Sequence, residues 1–271
     1  MDTTTSCHRQ RDFRQGGPEK MFAVDELATS DAGCRGAMSS GPWSAGPANA
    51  AAVGVLADIV LGHPLIASAP VGWWSVSTEI SLDFLAPLPS DGTRLTAQGR
   101  LVHTSGTTGL AEGSIFSADG ELLVRCRQWG QFIEASPDRD GDADGFAPPH
   151  RSPAEIAAAV LGDASVGAGS ARFSLPVDDD LVNPLRTLHG GVTLWLAGLL
   201  ADRVVGSVAG DLVPASLAVS YLRPLVQGDI ATFRADVVSR GRRLALTNVT
   251  AVNGAGKPCI VASVHHHGGR R

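Results

Sequence analysis

The chain has 271 residues, 44% of them hydrophobic and 18% charged, with a formal net charge of −5. This length suits one large domain or two modest ones, and the apolar content excludes a disordered chain. An acidic balance without a long basic block leaves nucleic-acid binding without electrostatic support.

Residues 1–20, with Cys7-His8-Arg9-Gln10-Arg11-Asp12 near the start, lack an apolar stretch and are expected to form a disordered tail, not a secretory signal. The apolar pattern begins at Met21. Asn49 to Gly62 reads as a long, nearly uncharged helix. A strand follows, with Val76, Ile80, Leu82 and Phe84 on one phase, and closes on Phe84-Leu85-Ala86-Pro87-Leu88. Two long alternating strands then flank a hairpin turn at Asp119-Gly120. The acidic, Gly- and Pro-rich stretch 136–150 is expected to be a linker.

Beyond it the pattern repeats. A second apolar helix runs from Gly190 to Gly206, a second pentad is Tyr221-Leu222-Arg223-Pro224-Leu225, and a second turn is Gly254-Ala255-Gly256. The pentads are 137 residues apart (224 − 87) and the turns 136 (256 − 120). Setting Leu56-Ala57 against Leu196-Ala197 gives 140 for the helices. A nearly constant offset marks an internal duplication. Two α+β domains are expected, 21–135 and 151–271, each an antiparallel sheet curled around one buried helix.

No run is expected to cross a membrane. The cysteines, Cys7, Cys34, Cys126 and Cys259, form no CxxC pair and read as free thiols in a reducing, cytoplasmic setting. His265-His266-His267-Gly268-Gly269-Arg270-Arg271 reads as a solvated tail, and no metal site is expected.

The richest motif is Asn183-Pro184-Leu185-Arg186-Thr187-Leu188-His189-Gly190-Gly191, at the start of the second helix. A helix start offers unpaired N–H groups and a positive dipole end, and glycines leave them open to a ligand oxygen. This is the geometry of an oxyanion site, and the motif itself lacks a carboxylate.

With Asn183 before it, an apolar helix after it and Tyr221-Leu222-Arg223-Pro224 downstream, the His-Gly-Gly start resembles the hotdog-fold acyl-CoA thioesterases. The phenylacetate-pathway and 4-hydroxybenzoyl-CoA type is the nearest branch. The resemblance covers residues 150–265 well and 36–135 more loosely. It implies two tandem hotdog folds that form a pseudo-dimer within one chain, and a homodimer or higher homo-oligomer of such chains. In that family each site straddles two units. One gives the Asn and the His-Gly backbone; the other gives a helix carboxylate nine residues after its own His position, and often a Ser or Thr on the next strand.

In the second half the carboxylate position is Gly198, and the hydroxyl position is Pro214. The repeat offset carries these positions to Asp58 and Ser77 in the first half, where Asn49, Ala50 and Ala51 replace the His-Gly-Gly. The resemblance therefore implies one composite site per chain. Asp58 acts as general base or nucleophile, the Gly190 N–H faces the oxyanion, and Asn183, His189 and Ser77 orient groups around them. The mirror site of Asn49, Ala50, Gly198 and Pro214 is expected to be dead. The expected substrate is an acyl-CoA, with no cofactor beyond its coenzyme A. Gly191, Arg242 and Arg243 are candidate substrate contacts, the arginines for the CoA phosphates.

Each assignment has a structural counterpart. Asp58 suits a structural ion pair or a rotation toward solvent near the helix end, Asn183 a turn before Pro184, His189 a helix cap, and Arg240, Arg242 and Arg243 a solvated turn. Ser75 lies two residues from Ser77, on the same face of its strand. Asp202, one turn past Gly198, is expected at the surface, and Trp73, Trp74 and Trp195 in the core. A non-catalytic acyl-CoA binding protein and a hotdog hydratase are the alternatives. The second is disfavoured because Leu185 follows Asn183-Pro184 and the next His is His189.

Overall fold

The computed structural model describes residues 16–30, 33–41, 50–135, 148–209 and 212–268. The first half comprises α1 (Gly17–Met21), β1 (Val24–Ser30), β2 (Gly33–Ser39), a 3-10 turn (Ala50–Val53), α2 (Gly54–Ser68), β3 (Trp73–Phe84), β4 (Arg94–Ser105), β5 (Thr108–Phe116) and β6 (Leu122–Glu134). The second comprises α3 (Pro153–Gly162), β7 (Ser165–Gly167), β8 (Ser170–Pro176), α4 (Gly190–Gly206), β9 (Leu212–Tyr221), β10 (Ile230–Arg240), β11 (Leu244–Val252) and β12 (Pro258–Gly268).

Among the described residues these strands form one 12-stranded sheet, ordered β1-β2-β4-β5-β6-β3-β9-β12-β11-β10-β8-β7. Helix α2 packs on β2 to β6, and α4 on β8 to β12. The alternation seen in the sequence is the cause: Ile80 and Leu82 on β3, and Leu217 and Val219 on β9, point inward and are fully buried or nearly so. The halves join at β3 and β9, where Glu79 pairs with Ser220, Ser81 with Ala218 and Asp83 with Ser216. Under the offset of 137, Glu79 corresponds to Ser216 and Asp83 to Ser220. The seam is thus symmetric about Ser81 and Ala218.

Several expectations change. The first helix runs beyond Gly62 to Ser68, through Pro64. Pro64 cannot donate to the Val60 carbonyl, and β4 passes so close there that a Cβ on Gly99 would lie 2.1 Å from that oxygen. The stretch Ala50–Ser68 is, by length and composition, apolar enough to cross a membrane, contrary to expectation; here the sheet and α4 cover most of it. The expected tail 1–20 ends too late. Gly17–Met21 is a helix whose Pro18 suits a helix start, with Glu19 buried and Phe22 packed edge-on against Trp195 at 5.1 Å. Residues 1–15 lie outside the described residues, as do 136–147 of the expected linker. At the linker's far end the His150 N–H donates to Asp180 Oδ1 at 2.9 Å, and Ser152 and Glu155 form a capping box for α3.

The histidine run is not a solvated tail either. It belongs to β12, where alternation turns His266 inward.

Candidate active site

The site is built from a loop, two crossing helices and two strands. In the loop before α4, Asn183 Oδ1 accepts the N–H of Leu185 at 2.9 Å, the N–H of Thr187 at 3.2 Å and the Thr187 hydroxyl at 3.1 Å. Arg186 adopts a positive φ of 56° inside this turn. Asn183 therefore shapes the loop that delivers His189 to the N-cap of α4, where Nδ1 of the neutral ring accepts the Gly191 N–H at 3.0 Å.

Helix α2 crosses α4 at contact distance because the facing positions carry no side chain. A Cβ at Gly191 would sit 2.4 Å from Val55 Cα, and one at Gly198 2.3 Å from Ala51 Cβ. This approach brings Asp58, one turn into α2, onto the first turn of α4. Its Oδ2 accepts the Gly191 N–H at 2.8 Å and lies 3.3 Å from His189 Nδ1. The Ser77 hydroxyl donates to Asp58 Oδ1 at 3.5 Å and accepts from Gln128 Nε2 at 2.9 Å. Ser75, the alternative in register, has its Oγ buried without a partner.

Helix start and carboxylate thus meet from opposite halves. The Gly190 N–H has no acceptor among the described residues, whereas the Gly191 N–H, a candidate substrate donor, is taken by Asp58. Tyr221, the chain's single tyrosine, donates from its hydroxyl to the Gly190 carbonyl at 2.8 Å and fixes the same turn. Arg242 and Arg243 sit in the exposed turn between β10 and β11 and bond to no residue of this site among the described residues. No group of three or more His, Cys, Asp or Glu among the described residues is arranged to hold a metal ion.

Burial sets the electrostatics. A carboxylate buried alone costs several kcal/mol, and a helix start offsets at most about 2 kcal/mol of that. Burial accordingly raises the Asp58 carboxyl above its ordinary range, against the lowering pull of His189 and the Gly191 N–H. Burial alone would favour neutral His189, but the carboxylates of Asp58 and Glu19 outweigh it and hold the ring protonated to higher pH.

Sequence reasoning missed two members. Gln128 is one, and its signal was present: it occupies an inward position of β6 among Val124, Cys126 and Phe132. The other is Glu19, whose Oε1 lies 3.3 Å from His189 Nε2; nothing in its short segment marks it.

Among the described residues the mirror half keeps none of these side chains. Strand pairing sets Ser77 opposite Gly130 and Ile80 opposite Gln128; in the second half Pro214 faces His266 and Leu217 faces Val264. Ser77 therefore corresponds to Pro214 and Gln128 to Val264. Ala51 packs on Gly198 where the carboxylate would be; Asn49 lies outside the described residues. Asp202 is not at the surface, as expected from sequence, but buried and bonded to His266 Nε2 at 2.6 Å, because the last turn of α4 is still covered by β12. Placing the missing acid in this half tests the packing argument: Gly198→Asp is expected to cost about 3–5 kcal/mol in a denaturant melt and to create no second site.

A two-half antiparallel sheet, holding a carboxylate of one half against the helix start of the other, defines a class, and comparison with known proteins identifies it. The family model of the acyl-CoA thioesterase N-terminal domain matches residues 179–267, and that of the acyl-CoA thioesterase C-terminal domain matches residues 14–132. The chain belongs to the acyl-CoA thioesterase family, a family of enzymes, with both domains present in reversed order. A proposed esterase of Caenorhabditis elegans is 42% identical over 69 residues, 25% of this chain and 41% of that protein's length. The fold resembles that of a proposed thioesterase of Novosphingobium aromaticivorans, with TM-score 0.64 at 18% identity, covering 90% of this chain and 98% of the other. It also resembles the TesB protein of Mycobacterium avium subsp. paratuberculosis, with TM-score 0.62 at 14% identity, covering 90% and 96%.

Proposed function

We propose that the chain is a tandem hotdog acyl-CoA thioesterase that hydrolyses its substrate to free acid and CoA at one composite site between its halves. The observation that carries this is the bond from the Gly191 N–H of α4 to Asp58 of α2, beside the Gly190 N–H, which has no acceptor among the described residues. The thioester oxygen accepts from the Gly190 N–H as negative charge develops on it. Asp58 acts as general base: with Oδ2 held by Gly191 and His189, its Oδ1 takes a proton from a water oriented by Ser77 and Gln128. That water's oxygen bonds to the acyl carbon. The tetrahedral intermediate then expels the CoA sulfur, which takes up the proton from Asp58.

A thiol-release assay across acyl-CoAs of varied length and aromaticity tests the reaction. Binding without thiol release from any of them would instead make the chain an acyl-CoA binding protein. Calorimetric titration with a non-hydrolysable thioether analogue tests the geometry: one site per chain is expected, and two would refute the composite site.

A further inference from the structure

Glu19 is buried beside the site, and the chemistry above assigns it no task. It reaches the site from α1, at the opposite end of the first half's sequence from β6. Its Oε1 stands 3.3 Å from Nε2 of His189, while Nδ1 of the same ring lies 3.0 Å from the Gly191 nitrogen and 3.3 Å from Asp58 Oδ2. In the charged ring both nitrogens donate, Nδ1 to Asp58, and the Gly191 N–H goes to Asp58 Oδ2 alone. One imidazole thus bridges two carboxylates, with all three side chains largely withdrawn from water.

We propose that Glu19 is a positioning residue of the active site: by taking the Nε2–H of His189 it fixes the ring, turns Nδ1 toward Asp58 and sustains a positive charge beside the base. The proposal rests on the reading of Asp58 as that base. Without a carboxylate at this point the Nε2–H would be buried with no acceptor, a cost of about 1–3 kcal/mol. The ring would then keep its second proton less readily, and Asp58 would lose its opposite charge. Burial works against ionised Glu19, but His189 overcomes it and draws the carboxyl below its ordinary value.

Two other groups face this trio. His63 on α2 senses Glu19 and is pushed down by burial to about 4, and burial holds the Tyr221 phenol on β9 well above 10, near Asp58. Both are neutral at neutral pH, so the balance lies among Glu19, His189 and Asp58.

The test compares wild type, Glu19→Gln, His189→Asn and the double variant, by pH profiles of kcat/KM and by NMR titration of the His189 ring. Glu19→Gln is expected to lower the His189 midpoint and to move the acid limb of kcat/KM up by about one pH unit, because losing the His189 charge outweighs losing the weaker direct push of Glu19 on Asp58. At neutral pH the double variant should behave as His189→Asn alone, since Glu19 acts through that ring. Wild-type titration and turnover in Glu19→Gln, or additive losses in the double variant, overturn the proposal. If the Gln variant fails to fold, Glu19→Asp must show a smaller shift of the same sign. If wild type releases thiol from no acyl-CoA, the proposed reaction falls. The His189 titration then decides the pairing alone, and a midpoint unmoved by Glu19→Gln overturns it.

Discussion

Asp58→Asn is expected to lower kcat on acyl-CoA by about 100- to 10,000-fold, the range for loss of a general base, without unfolding the protein. Asparagine has the shape of aspartate, and its carbonyl oxygen still accepts the Gly191 N–H that Asp58 Oδ2 takes. Stability should hold or rise. Burial raises the Asp58 carboxyl above the ordinary value of 3.8. A group raised in the folded state favours folding only at low pH, and that contribution is lost as pH rises through the folded value. At neutral pH ionised Asp58 therefore costs stability, and the neutral amide removes that cost. The same shift fixes the sign of the pH dependence. As the proposed base, Asp58 works only when ionised, so wild-type kcat/KM should fall as pH drops through a midpoint above 3.8. Steady-state thiol release and a thermal melt on both proteins check these points together. Unchanged turnover in the variant would remove Asp58 from the mechanism.

Gly190→Ala is expected to separate activity from folding in the same direction, and by comparable size. A Cβ at this position would meet Asp58 Oδ2 at 2.7 Å and Asp58 Cγ at 3.1 Å. The obstacle is the end of a side chain, which can swing aside, so the helices stay packed while the base leaves its position. A displacement of about 1 Å in a reacting group costs about 100-fold in rate. Gly191→Ala should do the opposite. Its Cβ would strike Val55 Cα at 2.4 Å and the Gly54 carbonyl at 2.6 Å, and backbone cannot step aside. Overpacking of that kind costs about 1–3 kcal/mol or more. A melt and a kcat for each variant test the contrast: adjacent glycines, one governing chemistry and the other packing.

Much of this was legible in the sequence, for identifiable reasons. The repeat registers Gly198 on Asp58 and Pro214 on Ser77, and strand pairing places Ser77 opposite Gly130 as Pro214 stands opposite His266. Arithmetic succeeds here because both halves obey one helix and one strand period. Gln128 lies on the buried phase of β6, but its counterpart in the repeat is the apolar Val264, so the internal comparison carries no polar signal there. Glu19 and His266 escaped for another reason. Each is fixed by a partner far along the chain, His189 and Asp202, and local pattern carries no trace of such pairs. The strands before each helix were also missed. β1 bears charges at Asp25 and Glu26, a glycine interrupts β2, and β7 is only three residues long.

The contact between Gly198 and Ala51 has a consequence for how this chain tolerates change. In a saturation library selected for turnover, the two repeats should score unequally at matched positions. Positions 58, 77 and 128 should reject most replacements even when the protein accumulates to normal levels. Their counterparts at 198, 214 and 264 should fail only when abundance falls, since the proposed site gives them no part in the chemistry. Under the proposed site, one copy of the duplicated unit is the anvil on which the other works.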